Sequence, residues 1–165
     1  MEFHLEKHAA KVAHINLREE KHGEEAVLAV DVKITADVPN DFLSYLAPEL
    51  KWSIYDKQPG QGELIPDDTH LPHLRYPQLG ELKWDGDMAK AQVTIHGAKP
   101  THDFNLDADV NGLLLEPKEG GTVAITFRLQ LLPTSGQSAA LVGYLGKEVK
   151  ISVVPAAPET GDAKQ

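Results

Sequence analysis

Cysteine is absent from the 165-residue chain. That excludes disulfides and thiol catalysis, and it suits a reducing compartment. Aromatic residues make up only 6%, so few large rings are on hand to fill a core, and giving any of them to solvent weakens packing. No uninterrupted apolar run approaches the roughly 20 residues that a membrane helix needs. The stretch from Met1 to His8 is charged where a secretory leader would be apolar. The expectation is therefore a protein of a cytoplasm, with no membrane partner. Positive charge is also scarce, with 16 Lys and Arg against 25 Asp and Glu and a formal net charge of −9. Residues 56–109 hold Asp56, Glu63, Asp67, Asp68, Glu81, Asp85, Asp87, Asp103, Asp107 and Asp109 against Lys57, Arg75, Lys83, Lys90 and Lys99. Such a balance argues against broad binding of a phosphate backbone, which relies on lysine and arginine displacing counterions. It leaves room for a local basic groove.

What the chain does have is alternation. Across residues 110–132 two strands fold back over Pro117-Lys118-Glu119-Gly120-Gly121, and the paired glycines supply the positive φ angles of a tight reversal. Past that turn Val123, Ile125, Phe127, Leu129 and Leu131 take one face, and Thr122, Thr126, Arg128 and Gln130 the other. Leu28, Val30, Val32, Ile34, Ala36 and Val38 repeat the pattern in an earlier strand. Ala13, Ile15 and Leu17 repeat it before the charged turn at Gly23, so these two strands should pair as a hairpin. Asn40 is placed to cap a short helix that buries Phe42, Leu43 and Leu46, with Leu50, Trp52 and Ile54 adding a second turn. Residues 56–78 show no period and read as a loop. Residues 79–84 and then Ala89, Ala91, Val93 and Ile95 flank Asp85-Gly86-Asp87, the signature of a hairpin. Phe104, Leu106, Ala108 and Val110 lead into the central hairpin. A helix over residues 136–145 with Ala139, Leu141, Val142 and Leu145 on its apolar side precedes a last strand carrying Val149, Ile151 and Val153.

The fold expected is mainly β, a β-rich α+β single domain over residues 1–155. It has about seven largely antiparallel strands, as a sandwich or open barrel, with two short helices. Residues 156–165 are expected to form a disordered tail.

Candidate chemistry is thin. Asp67, Asp68, His70 and His73 could converge on a metal, but their spacing matches no closed metal motif and solvated loops collect such residues. Asp103, Asn105, Asp107 and Asp109 have the spacing of a calcium loop's opening, yet position six is Ala108 and position twelve Leu114. A strand with an acidic outer row explains both the acids and the apolar residues between them. Neither His4 with His8, His96 with His102, nor Ser135 or Ser138 falls in a catalytic motif, and no phosphate-cradling or dinucleotide loop occurs. No cofactor, metal or small-molecule substrate is expected, and the protein is expected to bind rather than catalyse.

Two binding surfaces are expected instead. The first is an acidic face, Asp85, Asp87, Asp103, Asp107 and Asp109, suited to a basic patch on a protein partner. Exposed sheet edges, through which the chain could also meet itself, belong to the same reading. The second mingles rings and cations, Trp52, Tyr55, Lys57, Arg75, Tyr76, Lys83 and Trp84, as on surfaces that stack single-stranded DNA. At residues 74–80, 93–96 and 116–123 the chain resembles a group of small proteins of tailed bacteriophages and prophages. The resemblance implies a bacterial host cytoplasm and an accessory role during infection, through protein contacts that modulate host defence or DNA metabolism. The alternative is a single-stranded DNA-binding helper of replication or recombination.

Overall fold

Strands form where apolar residues alternate. In the computed structural model, which describes residues 1–57 and 70–157, they are β1 (Leu5–His22), β2 (Glu25–Pro39), β3 (Tyr55–Asp56), β4 (His73–Leu74), β5 (Leu82–Trp84), β6 (Met88–His96), β7 (Phe104–Pro117), β8 (Thr122–Leu131) and β9 (Glu148–Val154). Three short helices, α1 (Leu43–Leu46), α2 (Leu50–Ile54) and α3 (Ser135–Tyr144), fill the connections. The chain is thus mainly β, as its periodicity predicts.

The sheet order is β5-β7-β6-β9-β1-β2-β8, and a further pairing of β7 with β8 joins its two ends. The result is a closed, six-stranded antiparallel barrel with β5 as an extra strand. Closure follows from the length of β7. Its first half, from Phe104 to Val110, pairs with β6, and its second half, through Pro117, pairs with β8. Val12, Val32, Ile34, Val93, Val110, Phe127, Leu129 and Ile151 line the interior, almost fully buried. α3 lies across one end, with Leu141 buried and Tyr144 against Phe104 at 6.1 Å between ring centroids. The other end is capped by Phe3, Phe42, Leu43, Tyr55 and Leu71, where Phe3 meets Phe42 at 5.0 Å and Phe127 at 5.5 Å.

Several expectations are corrected, mostly by bulges. β1 slips register between Val12 and His14, β6 between Met88 and Ala91, and β7 between Asn111 and Leu114. Each slip inserts a residue and reverses the alternation beyond it. Met88 is therefore buried in place of the expected Ala89, which is exposed. In β1 Leu5, Ala10 and Val12 are buried and Ile15 packs partly against the core as expected, while Ala13 sits at the slip and Leu17 lies 55% exposed. Asp85-Gly86 does not close a hairpin. β5 pairs with Leu113–Leu115 of β7, and β6 takes the neighbouring half of that same edge, so the two follow one another along β7. Asn40 caps nothing. Its buried side chain donates to the Leu71 carbonyl at 2.7 Å, pinning the cap. In α3 only Leu141 is buried, with Val142 and Leu145 exposed. The expected tail lies outside the described residues from 158 onward.

Candidate functional site

The seven residues grouped as a stacking surface divide between β5 and the region of α2, β3 and β4. Lys83 and Trp84 lie on β5, where Trp84 packs partly against the core. Trp52 and Tyr76 are exposed near the paired strands β3 and β4, and Lys57 follows β3. Tyr55 is fully buried. Its hydroxyl is 2.8 Å from the Lys118 carbonyl and 3.1 Å from that of Thr122, and it accepts from the Lys118 amide at 2.9 Å. Burial raises its pKa despite the backbone bond from Lys118. A ring so enclosed has no face for a base. Arg75 donates through Nε to the carbonyls of Trp52 and Tyr55 and through Nη1 to Asp56 at 3.1 Å, so its guanidinium ties α2 to β3.

Of the expected acidic face, Asp107 and Asp109 do stand on the outer side of β7, alternating with the buried Leu106, Ala108 and Val110. Asp109 accepts the Lys90 amide at 2.9 Å and Asp103 the Gly97 amide at 3.0 Å. These two carboxylates therefore satisfy backbone donors at the bulge and the turn of β6. Asp85 and Asp87 are exposed, with Asp85 3.9 Å from Lys83. Asp67 and Asp68, half of the candidate metal set, lie outside the described residues. His73 faces Glu119 at 3.2 Å and His70 is exposed. No group of three or more metal-ligating side chains occurs among the described residues.

A feature that the sequence reading missed is an arm. β9 pairs with β1 only through Lys11, with Val12 bonded to Gly146 and Lys147, and β8 pairs with β2 only from Val30. Residues 13–29 thus leave the barrel as a two-stranded ribbon, and among the described residues no other strand lies along either side of it. At about 3.3 Å per residue, its free β1 edge is roughly 30 Å long. On one face Ile15 and Val32, then Leu17 and Val30, then Glu19 and Leu28 are cross-strand neighbours. The apolar lining of the barrel therefore continues outward until it reaches Leu17, 55% exposed, and Leu28, 42% exposed.

The other face of the arm is held by charge. Arg18 donates to Asp31 at 3.0 and 3.3 Å and to Glu20, which also meets His22 at 3.2 Å. The hydrogen bond from Arg18 holds the Glu20 carboxyl below the usual carboxylate range. Burial acts to raise the Asp31 carboxyl, but bonds from Arg18 and Gln130 outweigh it and hold that group low as well. Apolar alternation ends at Leu17, and the available signal was only that no glycine or proline in residues 18–22 stops the strand before Gly23. Among the described residues no helix is long and apolar enough to cross a membrane. The chain matches no family model, no curated protein and no solved structure.

Proposed function

We propose that this is a non-catalytic binding protein that works through protein contacts made by the free β1 edge of the arm. The observation that carries this reading is an ordered ribbon, extending beyond its own core, with Leu17 and Leu28 exposed on one face and along its side a row of backbone groups that no other strand pairs among the described residues. An unpaired edge is a template for another strand. Its sequence also fits a second copy. Antiparallel pairing of two arms about Leu17 sets the two Leu17 side chains against each other, each His14 opposite the other copy's Glu20, and each Arg18 opposite the other's Asn16. Such a pairing extends the sheet of both barrels without a like-charge clash at these positions. An accessory role in a phage or prophage, in a bacterial cytoplasm, accords with a small adaptor of this kind.

Sedimentation velocity over a wide concentration range tests it. The wild type should shift from monomer to dimer, and Leu17→Lys should remain monomeric with an unchanged circular dichroism spectrum. A wild type that stays monomeric throughout, or a variant that dimerises equally well, overturns the reading.

A further inference from the structure

The outer face of the barrel carries a row of cations. His14 on β1 is the cross-strand neighbour of Lys33 on β2, Lys33 of Arg128 on β8, and Arg128 of Asn111 on β7. Like charges placed directly opposite one another weaken a sheet, yet two permanent cations and a histidine stand in sequence here. Among the described residues neither Lys33 nor His14 has a hydrogen-bond or ion-pair partner, and Arg128 is hydrogen-bonded only through Nε, 2.8 Å from Asn111 Oδ1, with the Asp31 carboxylate near enough to attract it.

That one bond is itself fixed by a relay. Asn111 donates to Gln130 at 2.6 Å, Gln130 to Asp31 at 3.1 Å, and Asp31 accepts from Arg18. The relay occupies the one acid nearest the row and fixes Arg128 by one nitrogen, leaving its two terminal nitrogens free. Both flanking strands bulge at this row, β1 between Val12 and His14 and β7 between Asn111 and Leu114. The first slip turns His14 outward beside Lys33. The second places Gly112, at φ +65°, beside Arg128, where an added Cβ would stand 3.8 Å from the Arg128 Cβ. Above the row is a groove of about 340 Å³, lined by His14, Lys33, Gly112, Thr126 and Arg128 and also by Asp31, whose carboxylate is engaged by Arg18 and Gln130.

We propose that this groove binds a phosphate group, with the free edge of the Arg128 guanidinium as its fork and Lys33 and His14 as flanking donors. A planar fork with two further donors suits a tetrahedral oxyanion of more than one charge better than a single carboxylate. The phosphate could belong to a small phosphorylated compound or to a nucleic-acid strand.

The test uses the full chain with inorganic phosphate, pyrophosphate and a labelled oligothymidylate, with chloride balancing the ionic strength throughout. Phosphate and pyrophosphate should raise the melting temperature of the wild type and shift the amide resonances of Gly112, Leu114 and Thr126. Lys33→Gln and Arg128→Gln should each weaken binding by roughly tenfold or more. Lys33→Gln should also melt higher than the wild type in low salt without phosphate, because it relieves the repulsion. Oligothymidylate binding that both variants abolish assigns the phosphate to a strand, whereas phosphate binding without it assigns a small ligand. Equal shifts with chloride alone, or equal phosphate binding by wild type and both variants, overturn the site.

Discussion

Tyr55 shows most clearly how a single side chain holds this molecule together. It lies where α2 ends and β3 begins, but its hydroxyl bonds to Lys118 and Thr122 in the turn between β7 and β8. Tyr55→Phe keeps the ring and strands those partners, so it should cost about 1 to 2 kcal/mol in a denaturant titration. Burial raises the folded pKa of this phenol above its unfolded value. The stability it brings is present below its unfolded pKa of about 10 and is lost as pH rises through the folded one. The wild type should therefore weaken in strong alkali, and Tyr55→Phe should flatten that loss. Glu119 in the same turn behaves oppositely. A bond from the Leu74 amide at 2.9 Å lowers its pKa, helped by His73, although burial opposes them. Its contribution is present above the unfolded value and lost as pH falls through the folded one, below about pH 4. Glu119→Gln should flatten the acid limb of a melting-temperature profile.

At the scale of elements, the chain declares its strands and conceals its bulges. Residues 122–131 and 30–38 were legible because nothing interrupts their alternation, and the facing ladder from Val30 with Leu131 to Val38 with Val123 keeps register throughout. β1 was not, because Ala10 with Val12 and Ala13 with Ile15 and Leu17 are two equally apolar phases of one stretch. Only the partner strand decides between them, at the slip beside Ala13. β5 is three residues long, too short for a period to show, and its pairing with β7 depends on the barrel having closed. For the candidate site the same limit applies. The acids of β7 could be read as an outer row, but the outer row from His14 to Asn111 exists only through register across four strands. Two substitutions probe the elements directly. Gly112→Val puts a branched side chain at φ +65° and should cost more than about 1 kcal/mol. Thr134 and Gln137 form a reciprocal capping box at the start of α3, so Thr134→Ala should cost about 1 kcal/mol. Thermal or chemical unfolding measures both.

As a whole the molecule is a closed barrel, sealed at one end by α3 and at the other by the cap around Tyr55, with a ribbon that no other strand covers among the described residues. Barrel closure removes the edges that an open sheet presents, so the strand edge of residues 13–22 stands out as an opening left on purpose or by default. The proposed function takes the first view. Amide hydrogen exchange of that edge, followed as the protein is concentrated, decides between them. The amides of residues 14–22 that point away from β2 should become protected at high concentration in the wild type and stay unprotected in Leu17→Lys. Fast exchange of those amides at every concentration in both proteins would contradict the account.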